Sequence, residues 1–539
     1  MNFFDSFSLP LHLAIIALWG LSALFDYLDF ASILQLKEYR LDRLRDFWKS
    51  HQGQHYIRRY GLLWRTLLCT ALLFWPINPN ITIRYILLAL FSIDALRLCG
   101  TILKHKLRRP KITIKVAAII SVAFLIEIGL ALYKHSWDAV FGLIILRPFI
   151  IALVTFASNN VTQQLKNWYI YRATKKIARF PNVTVIGITG SYGKSTVKEY
   201  TSHILGKKFR VLRTPGNINT DIGVAMFVLR QNLAEADVLV VEMGAYKIGE
   251  IDKICQMVKP KIAVLTAIIE QHLILFGSIE NVQQAKYELL RAIPANGLVV
   301  TNADNTYCVE FLPELACKNQ QTFGEELDNH PTLLIDEAGY RNGFASGQYS
   351  YQGRDWHITA PVVGAHQVTN LAPAVMVATH LGMSQEEITV ACATLPAGDH
   401  GLKIFPFGQA TIIDDSYNSN PAGFSAALEV LSSFPSSQSR VVITRGMLEL
   451  GDRHDEIHET IAEEIAFCAD TLVIITPDAA DALQRGVDRL HDKFHLKVEQ
   501  MYDSGALRNY LVGLKETSSV ILLENRVPET VRALVSSTH

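Results

Sequence analysis

The sequence predicts an α-helical membrane bundle followed by an α/β region built on doubly wound, mostly parallel sheets. Three observations predict it. Five long apolar runs crowd the first 160 residues. From residue 181 onward, short β-branched stretches alternate with helically spaced segments. The formal net charge of zero also hides a split: residues 1–180 hold 23 Lys and Arg against 9 Asp and Glu, and the rest hold 28 against 42. A basic, apolar front and an acidic, ordinary back describe a membrane part joined to a soluble part. The front's basic residues sit in loops between apolar runs, which argues against nucleic acid as a partner. The seven cysteines are scattered without metal-ligand spacing and read as free thiols in a reducing compartment.

The apolar runs are Leu9–Phe30, Gly61–Ile77, Ile83–Leu98, Ile112–Tyr133 and Ala139–Phe156. Each approaches the ~20 residues a helix needs to cross a bilayer. Lys and Arg alternate between the connecting loops. They are dense after the first, third and fifth runs and nearly absent elsewhere. The positive-inside rule then puts the N-terminus outside and residues 160 onward in the cytoplasm. The expectation is a multi-pass protein of the inner membrane with its soluble part inside. Asp94, Arg97, Glu127 and Arg147 fall in or beside apolar runs, where a charge is either functional or paired within the bundle. Residues 1–158 form the expected membrane domain and residues 159–180 a basic helical linker on the inner leaflet.

The soluble half opens on Val183–Ile186, a strand, followed by Gly187-Ile-Thr-Gly-Ser-Tyr-Gly-Lys-Ser-Thr196 and a helix from Val197 to Leu205. Strand, glycine loop, helix is the setting of a phosphate-binding loop. The spacing is the shorter G-x-x-G-K-S form, because position 188 is Ile. Thr189, Gly190, Ser191, Tyr192, Gly193, Lys194, Ser195 and Thr196 are the candidate ATP contacts. Lys194 can reach terminal phosphates, and Ser195 or Thr196 can ligate Mg²⁺.

Further strands are expected at Val238–Val241, Ile262–Leu265 and Leu298–Val300. Ligands of open α/β sheets sit at carboxyl ends of strands. Glu242 follows one strand and is placed for Mg²⁺; His272 follows another, and Lys286 lies on the next helix. Taken singly, Glu242 could cap a helix, His272 could be a satisfied loop residue, and Lys286 could lie on the surface. The polar loop Thr214-Pro-Gly-Asn-Ile-Asn-Thr220 suits phosphates or an anionic substrate.

These stretches, in this order, resemble the Mur ligase family. The matching motifs are the glycine loop, Thr214–Gly223, Glu242-Met-Gly-Ala245, His272 with Phe276–Asn281, and Ala285-Lys-Tyr-Glu288. They continue with Thr301-Asn-Ala-Asp304, Gly364–Asn370, Asp414-Asp-Ser-Tyr-Asn-Ser-Asn-Pro421 and Gly446–Asp452. Within the family, the branch that adds D-alanyl-D-alanine to UDP-N-acetylmuramoyl-tripeptide is most similar. The resemblance implies an ATP-dependent ligase of peptidoglycan precursor synthesis that activates a carboxylate as an acyl phosphate for attack by an amine. It implies Lys194, His272 and Lys286 as catalytic, Lys286 being carbamylated. Ser195 and Glu242 would hold one Mg²⁺ and His272 a second. Asn370 would meet the adenine and Asp415 the nucleotide. Asn217, Asn219, Thr220 and Asn418 would serve the substrate, a UDP- or lipid-linked precursor joined to an amino acid or dipeptide.

The resemblance also implies an ATP-binding central domain over residues 181–398. A Rossmann-like C-terminal domain would follow over 399–539, with strands at Thr411–Ile413, Arg440–Ile443, Thr471–Ile475 and Val520–Leu523. The chain departs from the family in three places. Gly401-Leu-Lys403 replaces the usual Gly-Arg, Glu524-Asn-Arg526 replaces a glycine-rich strand end, and the membrane runs occupy the slot of the UDP-binding domain. A poly-γ-glutamate-type ligase and a non-catalytic membrane nucleotide sensor are the alternative readings.

Overall fold

The computed structural model describes residues 9–37, 110–134, 137–269, 276–341, 343–396, 402–416, 421–447, 453–490 and 494–536, with a few isolated positions between them. The chain divides into two compact units, Met1–Asn167 and Trp168–His539. That division falls between Asn167 and Trp168, inside the 159–180 stretch read as a linker. The stretch read as a linker belongs mostly to one long helix, because its polar residues from Ser158 onward contain no breaker until Pro181.

The first unit contains α1 (Leu9–Leu36), α2 (Ile114–Lys134) and the first part of α3 (Trp137–Ile177). Small and aliphatic residues let them pack: Ala23 and Ala31 of α1, Val116, Ile119 and Ala123 of α2, and Ile150, Ile151 and Val154 of α3 share one buried cluster. Glu127 and Arg147 are fully buried there. Arg147 Nη1 meets Asp26 Oδ2 at 2.7 Å and donates to Ser22 Oγ at 2.9 Å; its Nη2 meets Glu127 Oε1 at 2.9 Å. Trp19 Nε1 and Tyr27 Oη donate to the two Glu127 oxygens at 2.9 and 2.6 Å. Of the two roles open to these charges in the sequence, pairing is the one observed. Asp94, Arg97 and the run Gly61–Ile77 lie outside the described residues, as does nearly all of Ile83–Leu98. Among the described residues one segment, Ile16–Leu36, is long and apolar enough to cross a membrane.

The second unit is organised by two sheets. In the first, β1 (Thr184–Thr189), β2 (Val211–Arg213), β3 (Val238–Glu242), β4 (Ile262–Leu265), β5 (Leu298–Asn302) and β6 (Gln320–Gly324) run parallel. The order is β2-β3-β1-β4-β5-β6, continued by β7 (Leu333–Arg341), β8 (Phe344–Tyr351) and β9 (Arg354–Ala360). β7 to β9 pair antiparallel, and hairpins of this kind need no crossover helix. The strands of the centre are buried on both faces, which explains their continuous aliphatic sequences. From β1 the chain works to one side through β2 and β3 and then crosses to β4 on the other. The carboxyl end of β1 is therefore a topological switch point, where ligands of such sheets bind.

The second sheet has the order β10-β11-β15-β12-β13-β14. Its strands are β10 (Lys403–Phe407), β11 (Ala410–Asp415), β12 (Ser439–Thr444), β13 (Thr471–Ile474), β14 (Lys497–Gln500) and β15 (Ser519–Glu524). Only β10 runs antiparallel to its neighbour.

Candidate active site

β1 ends at Thr189, and the glycine loop turns directly into α4 (Lys194–Leu205), three residues earlier than the sequence predicts. Two glycines make the turn possible. Gly190 has φ 151°, and a Cβ there would lie 2.0 Å from Thr266 Oγ1; Gly193 has φ 78° and precedes the first residue of α4. The loop after β4 clasps the glycine loop. Ser191 N donates to Ala267 O at 2.7 Å, Ile269 N donates to Ser191 Oγ at 3.1 Å, and the Thr266 hydroxyl donates to Tyr192 O. Thr189 Oγ1 donates to Met243 O at 2.8 Å, which ties the loop's start to the end of β3.

Lys194 folds back over this loop and donates from Nζ to Gly190 O at 2.7 Å and Ser191 O at 2.9 Å. Burial lowers its pKa, and the Glu242 charge opposes that shift in part. Thr196 lies on the first turn of α4, half-buried.

Glu242 is the last residue of β3 and is 1% exposed. Its Oε2 accepts from Ser195 Oγ at 2.9 Å and from Lys198 Nζ at 3.1 Å; its Oε1 accepts from Asn219 Nδ2 at 3.1 Å. Its backbone N–H donates to Thr214 Oγ1 at 3.1 Å. The 214–220 loop is thus fastened to the glutamate rather than hanging free. Thr220 caps α5 (Asp221–Arg230) by accepting from Gly223 N, and Asn217 is exposed at the turn.

Lys286 sits on α6 (Ile279–Arg291), 5% exposed. Burial, then the neighbouring Lys194 charge, pushes its pKa down to about 7, against the pull of Glu288 and Glu242. A lysine at that value is partly a neutral amine at physiological pH. Two of the three catalytic candidates therefore lie close together, and the third, His272, lies outside the described residues.

Asn370, on α7 (His366–His380), reaches the glycine loop: a Cβ at Gly193 would lie 2.8 Å from its Oδ1. Its Nδ2 donates to Gln367 Oε1 at 3.3 Å, and Tyr200 of α4 donates to the same oxygen at 2.8 Å. Asp415 instead ends β11 in the second sheet, opposite Glu524 in register. Burial and the adjacent Asp414 charge raise it to about 7. Asn418 lies outside the described residues.

Ser195 Oγ and Glu242 Oε2 are hard oxygen donors side by side, the chemistry that Mg²⁺ takes, so these residues fit that ion. Among the described residues no group of three or more His, Cys, Asp or Glu gathers to hold a metal. Sequence reasoning missed Lys198 and Thr266, and it named Thr214 only as the start of the polar loop, not as the acceptor of the Glu242 N–H. Lys198 had a signal, since three residues after Ser195 on a helix is the same face. Thr266 had none beyond its place after β4.

Residues 188–378 match the Mur ligase middle domain, and residues 403–523 match the Mur ligase glutamate ligase domain; together they cover more than half of the chain. The UDP-N-acetylmuramoyl-tripeptide–D-alanyl-D-alanine ligase of Escherichia coli K12 is 31% identical over 282 residues, 52% of this chain and 61% of that protein. The ligase of the same name from Rickettsia prowazekii is 27% identical over 373 residues, 68% of this chain and 79% of that protein. The chain thus spans about three-fifths of the first relative's length. Crystal structure I of MurF from Acinetobacter baumannii superposes with a TM-score of 0.60 at 26% identity, over 69% of this chain and 80% of that one. MurF from Thermotoga maritima in complex with ADP gives a TM-score of 0.60 at 24% identity, over 69% of this chain and 85% of that one, and shares the fold.

Proposed function

The chain belongs to the Mur ligase family of ATP-dependent, amide-bond-forming ligases, and on that premise we propose that it adds D-alanyl-D-alanine to UDP-N-acetylmuramoyl-tripeptide or a lipid-linked equivalent. The observation that carries the reading is the meeting of Lys194, Ser195, Glu242 and Lys286 at the switch point of the first sheet.

In this reading a substrate carboxylate oxygen attacks the γ-phosphorus of ATP, and ADP leaves. The amine nitrogen then attacks the acyl-phosphate carbonyl carbon, loses a proton and expels phosphate. Phosphoryl transfer of this kind depends on positioning and charge stabilisation. Lys194 steadies the terminal phosphates with the ammonium that now rests on loop carbonyls. Ser195 and Glu242 would hold Mg²⁺, which when bound would supply charge neutralisation at the transferring phosphoryl group. Lys286, through its neutral amine, would add to the carbon of carbon dioxide and release one proton to solvent, giving a carbamate anion that could join the donors around Mg²⁺. His272, which lies outside the described residues, would hold a second metal ion. Thr189 to Thr196 cradle the phosphates, Asn370 meets the adenine and Asp415 faces the nucleotide. Asn217, Asn219, Thr220 and Asn418 face the substrate.

The same proposal places the first unit in the inner membrane, with several spans, the N-terminus outside and the ligase inside. Two observations support it. Ile16–Leu36 has the length and composition of a span. In addition, α2 exposes Val122, Leu125, Ile126 and Leu130, and α3 exposes Leu146, Phe149, Leu153 and Phe156 at helical spacing.

The test uses detergent-purified full-length protein. Phosphate release should require ATP, UDP-N-acetylmuramoyl-tripeptide and D-alanyl-D-alanine together, with the pentapeptide product seen by mass spectrometry. Glutamate polymerisation, or no turnover with any carboxylate and amine pair, overturns the assignment.

A further inference from the structure

Lys198 lies one helical turn beyond Ser195 and is fully buried. Its ammonium touches Glu242 Oε2 at 3.1 Å, Gly216 O at 2.6 Å and, more distantly, Glu199 Oε1 at 3.5 Å. A buried ammonium is costly unless paired and hydrogen-bonded, so this one is held in a specific geometry. Its two close partners belong to different parts of the site. Glu242 is the carboxylate suited to a divalent cation, and Gly216 is in the middle of the 214–220 loop.

We propose that Lys198 is a positioning residue that clasps the 214–220 loop to Glu242 and, through its charge, weakens the hold of that carboxylate on a divalent cation. The role of the loop toward substrate rests on the ligase reading above; the metal half does not. Glu242 Oε1 is engaged by Asn219, which leaves Oε2 as the oxygen shared by Ser195 and Lys198. A cation arriving at Oε2 meets a fixed positive charge on the same oxygen, and the two repel. The ammonium also donates to Gly216 O, which fixes the loop crest above the carboxylate. One side chain thus trades metal affinity for loop order, and removing it moves the two in opposite directions. A side chain that only supports the fold would weaken both together.

The experiment compares full-length wild type with Lys198→Met and Lys198→Gln. Methionine removes both the charge and the donor; glutamine removes the charge and keeps an N–H for Gly216 O. Mn²⁺ is titrated by electron paramagnetic resonance in the presence of ADP, without carboxylate substrate. Half-saturation is expected to fall about three- to tenfold in both variants. Loop order is read by hydrogen exchange of residues 214–220, and by KM for UDP-N-acetylmuramoyl-tripeptide. Lys198→Met should lose protection and raise KM about tenfold, while Lys198→Gln stays near wild type in both. Mn²⁺ binding that is unchanged or weaker in the two variants overturns the proposal. So does a Lys198→Met loop as protected as wild type. If Lys198→Met does not fold, Lys198→Gln decides the metal half, and Lys198→Arg, which keeps the charge, must bind Mn²⁺ as wild type does. If the wild type turns over no tripeptide, the ligase reading fails alone, because Mn²⁺ binding and hydrogen exchange still decide this one.

Discussion

Ser195 donates its hydroxyl hydrogen to Glu242 across 2.9 Å, joining the first turn of α4 to the end of β3. The bond lies beside the carboxyl end of β1, and Lys198 and Asn219 donate to the same carboxylate.

Lys194→Ala should abolish phosphate release while leaving the fold intact. The ammonium contacts only loop carbonyls, so no core packing is lost. A fall in kcat/KM of at least ~10²-fold is expected, the scale of a lost charge contact to a transition state. Thermal unfolding within a few degrees of wild type accompanies it. A variant that keeps its rate, or that unfolds, contradicts the assignment.

Lys286→Ala should be inactive and partly rescued by short carboxylic acids, which can occupy the place of the carbamate. Carbamate formation needs the neutral amine. With the amine held near 7, the modified fraction should rise as pH goes from 6 to 8 and as bicarbonate is added. A ¹³C-bicarbonate carbamate resonance in the wild type, absent from Lys286→Ala, is the measurement. An active Lys286→Ala enzyme ends the idea.

Gly190→Ala should destabilise the second unit by about 1–3 kcal/mol and impair ADP binding. At φ 151° the new methyl would fall 2.0 Å from Thr266 Oγ1, whose hydroxyl is already committed to Tyr192 O. Calorimetry with and without ADP reads both effects. A variant as stable as wild type with unchanged ADP affinity disproves the steric account.

In the first unit, Arg147→Leu leaves two carboxylates without their shared cation and should cost about 3–5 kcal/mol. Replacing Asp26, Glu127 and Arg147 together by Leu should cost less than Arg147→Leu alone, since the two carboxylates leave together with their shared cation. Detergent-solubilised melting curves make the comparison. Equal losses would mean that the ion pairs contribute little.

His458 is buried and held at about 4, mainly by burial, with Met447 N donating to its Nε2. Its unfolded value is near 6.5, so the unfolded chain binds the proton first. Stability from this group is complete above about 6.5 and declines as pH falls toward 4, by up to about 3 kcal/mol. His458→Gln should flatten that part of the pH–stability curve. An equally steep curve in the variant places the pH dependence elsewhere.

The central strands were legible because burial on both faces writes itself as continuous Val, Ile and Leu. Val238–Val241 and Ile262–Leu265 needed extension by at most one residue. The loop was legible because glycines with positive φ have few substitutes. β7 to β9 were not legible: Asp336, Glu337, Gln348 and Arg354 interrupt the apolar pattern of strands with a solvent-facing side. The partners of Glu242 were partly hidden too, because Thr214 and Asn219 reach it through the fold and not through spacing. The charges Glu127 and Arg147 stood out in the sequence, but Trp19 and Tyr27 as their hydrogen-bond donors did not.

The end of α3 sets where the protein can be cut. Ala173 and Ile177 are buried in the core of the second unit, beside Val183, Val185 and Phe227, with Ile170 and Phe180 packed against them. Lys176 Nζ donates to Leu229 O and Gln231 O and so closes the end of α5. A ligase fragment begun at residue 181, where the strands start, would leave this apolar surface and those two carbonyls open to water. It would aggregate or melt early whatever the first unit does. A fragment begun near Trp168 keeps its own lid, and comparing the solubility of the two maps the true start of the catalytic fold.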